Sequence, residues 1–140
     1  MDVEVSATSM PAKPSHTLMI VEDSADILHL LADFLGERGF TVLGALNGQE
    51  ALNVLRETSD LPSVILLDLM MPVMDGQSFR NEQLKDPRLS YIPIVVMTAD
   101  AQAQSRTQTI GGVGYLKKPM DIDQILDTIG RFCTPVLQAN

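Results

Sequence analysis

Four short segments of the chain each place reactive side chains at the end of an apolar run. Glu22 and Asp23 close LMIVED, Asp68 closes VILLD, Thr98 closes IVVMT, and Lys118 lies in GYLKKP. Carboxylate oxygens are ligands that suit a divalent cation such as Mg²⁺. A cation and an ammonium group together attract a phosphoryl group, and a neighbouring carboxylate can accept it as a nucleophile. These residue types predict phosphoryl chemistry if the fold brings them together.

The segments around these residues alternate between strand and helix patterns. Five strand-like runs occur in the order TLMIVE, FTVLGA, SVILLD, IPIVVM and VGYL. Continuous apolar runs are typical of parallel strands that are covered on both faces. Helical patterns with short connections separate the runs and favour right-handed crossovers. The sequence therefore predicts a doubly wound α/β sheet with helices on both faces, whose strand carboxyl ends carry the reactive residues to one edge.

The bulk composition fits one small domain. The chain has 140 residues, of which 45% are apolar, enough for one hydrophobic core and too few for two ordinary domains. Residues 1–16 are polar, contain proline and show no hydrophobic period, so we expect a tail there. We expect one domain at residues 17–133 and a short tail at 134–140.

Charge and residue usage argue against several classes of protein. The net charge of −8 disfavours direct binding to nucleic acid, which needs a basic surface. No apolar run reaches the roughly 18 residues of a membrane span, and residues 1–16 do not look like a signal peptide, so we expect a cytoplasmic protein without membrane insertion. The single cysteine, Cys133, is expected to pack in the core. His16 and His29 lack metal-ligand spacing and are expected to face solvent.

Taken in order, the motifs resemble those of the receiver domains of two-component response regulators. The resemblance covers residues 17–132 and rests on five features: the acidic pair Glu22 and Asp23, LLDLMMPVMDG around Asp68, Thr98 followed by Ala99, Tyr115, and Lys118 followed by Pro119. No single feature is specific, but together and in this order they form a strong signal. The resemblance implies a flavodoxin-like five-stranded parallel sheet with strand order 2-1-3-4-5.

The resemblance also implies a role for each residue. Asp68 would be the phosphoacceptor and would form an acyl phosphate. Asp23, Asp68 and the backbone carbonyl of Met70 would bind Mg²⁺, for which Mn²⁺ could substitute, and Glu22 would act directly or through water. Lys118 would pair with a phosphoryl oxygen.

Thr98 and Tyr115 would form the switch of such a domain. The Thr98 hydroxyl would move toward a phosphoryl group on Asp68, and Tyr115 would then rotate inward. This movement would reshape the surface of the fourth helix, fifth strand and fifth helix.

Lys117 is an alternative to Lys118 as the residue that pairs with the phosphoryl oxygen. Adjacent strand residues point to opposite faces, so only one of the two can reach the site, and the proline that follows Lys118 favours Lys118.

Two helices depart from an ordinary amphipathic pattern. The segment DAQAQSRTQT has almost no apolar stripe, which predicts a short or mobile fourth helix over residues 100–109, with low protection from hydrogen exchange. In the third helix, Arg80 and Gln83 stand where aliphatic residues would be expected. We therefore expect its core contribution to rest mainly on Phe79 and Leu84.

The first helix shows a regular apolar spacing. It should extend from Ser24 to Arg38 and bury a face that consists of Ile27, Leu30, Leu31, Phe34 and Leu35.

Three methionines, Met70, Met71 and Met74, follow Asp68, and we interpret them as loop packing because thioethers do not suit a hard cation. Met70 beside an acyl phosphate could also hinder the attacking water, whereas Asp100 could position it. We expect the effect of Met70 to dominate and the phosphorylated state to be long-lived.

These observations favour a phosphorylatable signalling switch over three alternatives. A stand-alone regulator would receive its phosphoryl group from a histidine kinase or a histidine phosphotransfer protein and act on an unknown protein target, with a homodimer as an open alternative. A haloacid-dehalogenase-type phosphatase needs a second aspartate where Met70 stands. A nucleotide-binding module would use GGVGY, but these glycines precede a strand instead of linking a strand to a helix. A scaffold that never turns over would not need the complete acidic, hydroxyl and lysine set.

Overall fold

The fold is an α/β sheet of five parallel strands. A computed structural model describes residues 16–135, so the two predicted tails lie outside the described residues except for positions 16, 134 and 135. The strands are β1 (Thr17–Val21), β2 (Thr41–Ala45), β3 (Ile65–Asp68), β4 (Ile94–Thr98) and β5 (Gly114–Lys117). Their order is β2-β1-β3-β4-β5, which confirms the predicted topology and places β3 at the centre.

Five helices connect the strands and cover both faces of the sheet. They are α1 (Ala25–Glu37), α2 (Gly48–Glu57), α3 (Gly76–Lys85), α4 (Ala103–Ile110) and α5 (Ile122–Gly130). Leu18 and Ile20 of β1 pack with α1 and α5, whereas Met19 and Val21 pack with α2 and α3. Because adjacent strand residues face opposite sides, one apolar strand contributes to both cores.

Helix α1 buries a narrower face than its sequence suggests. Leu28, Leu31 and Leu35 are buried, at steps of three and four residues that keep them on one line along the helix. Ile27 and Leu30 were predicted to be buried but are 39% and 69% exposed. They lie on the flank of the apolar arc, beyond the part that the sheet covers.

The core contribution of α3 also differs from the prediction in one residue. Phe79 is fully buried as expected, but Leu84 is 51% exposed, so the expectation for Leu84 is wrong. Gln83 is buried instead, and its side-chain amide donates hydrogen bonds to the carbonyls of Leu89 and Ile92 at 2.9 and 3.0 Å. A buried amide is tolerated there because it satisfies two carbonyls of the loop that follows α3.

Helix α4 is short, as predicted, and combines three buried residues with polar contacts at its ends. It has eight residues, of which Ala103, Thr107 and Ile110 are buried. At its C-terminal end the Arg80 guanidinium donates to the carbonyls of Ile110 and Gly111 at 2.9 and 3.2 Å. Arg80 therefore satisfies carbonyls that a helix end leaves without partners. Low hydrogen-exchange protection of this helix stays a prediction.

Several smaller expectations can be compared with the fold. Cys133 is buried in the core between β1 and α5, which confirms its packing role, and burial raises the pKa of its thiol to about 11. His29 is exposed as expected, but His16 is half-buried. Within residues 16–135, no helix has the length and apolar character needed to cross a membrane.

Candidate functional site

The five reactive residues predicted from the sequence meet at the carboxyl edge of the sheet. Glu22 and Asp23 follow β1, Asp68 is the last residue of β3, Thr98 is the last residue of β4, and Lys118 follows β5. Since β3 lies between β1 and β4, Asp68 is central in this group. The parallel topology therefore creates the cluster from residues that are up to 96 positions apart.

Lys118 connects the two buried carboxylates of the cluster. Its Nζ lies 2.7 Å from Glu22 Oε1 and 3.3 Å from Asp68 Oδ2. Burial by itself lowers the pKa of Lys118, but the hydrogen bond that it donates to Glu22 and the charges of both carboxylates raise it overall. Lys117 is exposed. The geometry thus agrees with the choice of Lys118 over Lys117.

Asp68 is a buried carboxylate with an unusual proton affinity. Burial raises its pKa to about 6, although the backbone N–H of Met70 and the charge of Lys118 act in the opposite direction. The negative charge of Glu22 adds to the increase. The Met70 N–H donates to Asp68 Oδ1 at 3.1 Å. The ionised carboxylate is thus poorly solvated, so an added cation would stabilise it strongly.

An acidic cluster surrounds Asp68 on the β1 side. One carboxylate oxygen from each of Glu22, Asp23 and Asp68 lies within 4.8 Å of the other two. Glu22 and Asp68 are buried, whereas Asp23 is exposed. Three carboxylates and one ammonium leave negative charge uncompensated, and an all-oxygen donor set open to solvent suits a hard, partly hydrated cation. The residues present therefore fit a Mg²⁺ site.

Thr98 lies on the other side of Asp68 and faces a separate cavity. Thr98 is buried, and its Oγ1 accepts a hydrogen bond from the Asp100 N–H at 3.0 Å. The cavity has a volume of about 390 Å³ and is lined by Leu69, Met70, Thr98, Ala99, Asp100 and Arg106. It offers space beside the hydroxyl that the phosphoacceptor chemistry would use.

Arg106 is a cation of this cavity that sequence reasoning did not find. Its Nε donates to Asp100 Oδ2 at 3.0 Å. The two residues are six positions apart, and Asp100 precedes α4, so the spacing gives no signal of a helical side-chain pair. Only the fold shows that Arg106 lies beside Thr98.

The loop after β3 carries Met70 and contains local strain. Val73 has φ 67°, a left-handed conformation that a β-branched residue rarely adopts, and it is 84% exposed. Gly76 begins α3 where a Cβ atom would lie 2.9 Å from the Leu69 Cα, so only glycine fits this close approach.

The methionines after Asp68 do not share one role. Met71 is buried and Met74 packs against the core, as expected for loop packing. Met70 is 75% exposed and lines the cavity beside Thr98, so the packing interpretation is wrong for its side chain. The bend that presents the Met70 N–H to Asp68 turns its thioether toward solvent.

Tyr115 lies in β5, the strand at one edge of the sheet. It is 44% exposed and borders a cavity of about 370 Å³ between β5 and α4, together with Gln104, Gln108 and Lys117. The side chain therefore lies next to open space and next to α4.

An apolar cavity of about 450 Å³ lies between α1 and the start of α5. Its lining includes the exposed flank of α1, Ile27 and Leu30, and continues through Ala99 and Pro119 to Ile122. Lys118 also lines it, so the cavity adjoins the acidic cluster. Sequence reasoning assigned Ile27 and Leu30 to the core and so missed this surface.

Comparisons with known proteins identify relatives along most of the chain. The family described as "Response regulator receiver domain" matches residues 18–130. "Protein PilH" of Pseudomonas aeruginosa is 32% identical over 114 residues, which cover 80% of this chain and 93% of PilH. The probable transcriptional regulator ycf29 of Pyropia yezoensis is 33% identical over 117 residues, 82% of this chain, but the chain spans only about half (52%) of that relative. Among solved structures, the chemotaxis protein CheY4 of Vibrio cholerae is 26% identical, with a TM-score of 0.75 and coverage of 86% of this chain and 99% of CheY4.

Proposed function

The chain belongs to the response regulator receiver family, and we propose that it accepts a phosphoryl group on Asp68 and thereby switches a protein-binding surface. Receiver domains are phosphoacceptor modules of two-component signalling and not classical enzymes. This assignment disfavours the phosphatase and nucleotide-binding alternatives. The observation that carries the proposal is the contact of Asp68 with Lys118, beside Glu22 and Asp23.

The transfer step follows from the chemistry of a buried carboxylate. An Asp68 carboxylate oxygen attacks the phosphorus of a phosphohistidine or a small acyl phosphate, the donor bond breaks, and the leaving group keeps that electron pair. Lys118 pairs with a phosphoryl oxygen, and the Thr98 hydroxyl donates to another. Glu22, Asp23, Asp68 and the Met70 carbonyl would hold Mg²⁺, or Mn²⁺ in its place. The bound ion would offset the repulsion between carboxylate and phosphoryl group.

Thr98 and Tyr115 transmit the change. A phosphoryl group adds about 1.5 to 2 negative charges and strong acceptor oxygens. Thr98 reaches it by turning away from the Asp100 N–H, whose hydrogen bond it accepts in the present state. Tyr115 then rotates toward the vacated space beside β4, and the surface formed by α4, β5 and α5 changes. This route is supported by the cavity that Tyr115 shares with α4.

The phosphodonor is a histidine kinase or a histidine phosphotransfer protein, and we propose that it docks on the apolar cavity beside Lys118. Ile27 and Leu30 are exposed there, and the cavity adjoins the cluster into which the donor histidine must deliver its phosphoryl group. An apolar surface at this position serves a partner that approaches Asp68 directly. The downstream protein target would bind a different surface, the one formed by α4, β5 and α5, where Tyr115 lies.

We further propose a stand-alone regulator with a domain at residues 17–133 that acts in the cytoplasm. The match along 93% of PilH supports the stand-alone form, whereas ycf29 is about twice as long as the matched segment. Net charge −8 supports action through proteins and not through nucleic acid.

Labelling with acetyl phosphate and Mg²⁺ tests the proposed function. The native protein should gain one acid-labile phosphoryl group, and Asp68→Asn should abolish the gain because an amide is not a nucleophile of this kind. Asp127→Asn, which changes an aspartate with a 74% exposed side chain, is the matched control and should label normally. Stoichiometric labelling of Asp68→Asn would place the acceptor elsewhere. Leu30→Ser should slow transfer from a phosphohistidine donor without changing labelling by acetyl phosphate.

A further inference from the structure

The cavity beside Thr98 contains an ion pair that the transfer step does not use. Asp100 and Arg106 both line this cavity together with Met70, and their side chains are 33% and 56% exposed. Asp100 is the one carboxylate among the lining residues. Thr98, whose hydroxyl would contact a phosphoryl group on Asp68, accepts a hydrogen bond from the Asp100 N–H at 3.0 Å. Water that approached the phosphorus through this cavity would therefore pass Asp100.

A free carboxylate at this position would accelerate loss of the phosphoryl group. In the hydrolytic step a water oxygen attacks the phosphorus and the bond to the Asp68 oxygen breaks. Asp68 regains its carboxylate, inorganic phosphate leaves, and one proton of the water passes to an acceptor. A carboxylate that accepts a hydrogen bond from this water orients it and receives its proton.

Each oxygen of Asp100 already accepts one hydrogen bond from the protein. Oδ1 accepts from the Gln102 N–H at 2.8 Å, and Oδ2 accepts from Arg106 Nε at 3.0 Å. The Gln102 N–H and then the Arg106 guanidinium lower the pKa of Asp100 below its usual range. The carboxylate is therefore both a weaker base and directed toward α4. The backbone bond is local to the turn, whereas the Arg106 contact depends on one side chain.

We propose, resting on the proposed phosphorylation of Asp68, that Arg106 is a positioning residue that withholds Asp100 from the attacking water and so prolongs the acyl phosphate. The ion pair is exposed, and exposed pairs are weak, so the change in rate should be small. Removal of the guanidinium should accordingly raise the hydrolysis rate by about two- to fivefold.

A double-mutant cycle on the decay of the acyl phosphate tests this inference. The full chain is loaded with acetyl phosphate and Mg²⁺, the donor is removed, and the remaining acyl phosphate is followed over time. Arg106→Gln should decay about two- to fivefold faster than the native protein, and Arg106→Lys should restore slow decay because an ammonium can still hold Asp100. In the Asp100→Asn background, Arg106→Gln should cause no further acceleration.

The controls separate this inference from its premise. Arg131→Gln removes another guanidinium from an exposed ion pair, with Asp127 at 3.3 Å, and should leave the decay unchanged. Equal acceleration by Arg106→Gln with and without Asp100 would overturn the inference, because Arg106 would then act alone. Unchanged or slower decay in Arg106→Gln would also overturn it. Failure of the native protein to label at Asp68 would overturn the proposed function itself, whatever the variants do.

Discussion

Replacement of Asp68 by asparagine should stabilise the metal-free protein at neutral pH. In the fold the Asp68 carboxyl has a pKa of about 6, compared with its ordinary value of 3.8, chiefly because burial disfavours the ionised form. A neutral amide of nearly the same shape avoids this cost, and its one oxygen can still accept from either the Met70 N–H or Lys118. The phosphoacceptor thus lowers the stability of the fold in which it functions.

The sign and size of the effect follow from proton linkage. Below the unfolded pKa of 3.8, both states hold the proton and Asp68 costs nothing. Between that value and about 6 the unfolded state ionises while the folded state retains its proton, so the free energy of unfolding falls as the pH rises. Above about 6 both states are ionised and the full cost remains. About two pKa units at ~1.36 kcal/mol each correspond to about 3 kcal/mol.

Urea denaturation in the presence of a chelator measures this difference. We expect native protein and Asp68→Asn to differ little at pH 4 and by about 3 kcal/mol, in favour of the variant, at pH 8. Asp127→Asn, a change at an exposed carboxyl, should show no such pH dependence. Saturating Mg²⁺ should remove much of the difference, because it binds the native cluster preferentially. A constant difference across this pH range would refute the argument that desolvation of Asp68 is the cause.

Four further predictions concern the residues around Asp68. Asp23→Asn should reduce the increase in melting temperature caused by Mg²⁺, because it removes one of three clustered carboxylates; an unchanged increase would place the ion elsewhere. Amides of α4 should exchange faster than those of α5, and Arg80→Gln should widen this difference, as hydrogen-exchange mass spectrometry would show; equal protection would contradict the weak packing of α4. Met70→Asn should shorten the acyl phosphate lifetime if the thioether hinders water, and a longer lifetime would reject that role. Val73→Asn should raise the free energy of unfolding by about 1 kcal/mol, since asparagine tolerates positive φ better; a loss would show that the loop is unstrained.

The fold and the acidic site could be predicted from the sequence because they depend on simple regularities. Continuous apolar runs specify buried parallel strands, and parallel strands bring their carboxyl ends to one edge. Glu22, Asp68 and Lys118 are each placed by the end of a strand, so their proximity does not depend on side-chain detail. The comparisons then identified the family that the ordered set of motifs had suggested.

Other features could not be predicted because they depend on which part of a helix the sheet covers. The apolar arc of α1 is wide enough to include Leu28 and Leu30, and only contact with the sheet decides that the first is buried and the second exposed. Gln83 is buried because two loop carbonyls happen to face it, which no local pattern reveals. Arg106 meets Asp100 across a turn, outside any helical spacing.

Helix α4 is held at both ends by non-local contacts of this kind, and the strength of these contacts affects how the switch would work. Its N-terminal end is linked through Arg106 and Asp100 to Thr98, and its C-terminal end is held by Arg80. The Arg106 contact is exposed, and exposed ion pairs are individually weak, whereas α5 is held by Ile125 and Ile129, which are buried completely or nearly so. A movement of Thr98 toward a phosphoryl group would break the hydrogen bond from the Asp100 N–H. It would thereby disturb the link from Thr98 through Asp100 and Arg106 to α4. We therefore expect phosphorylation to rearrange α4 before α5, because the weaker contacts yield first.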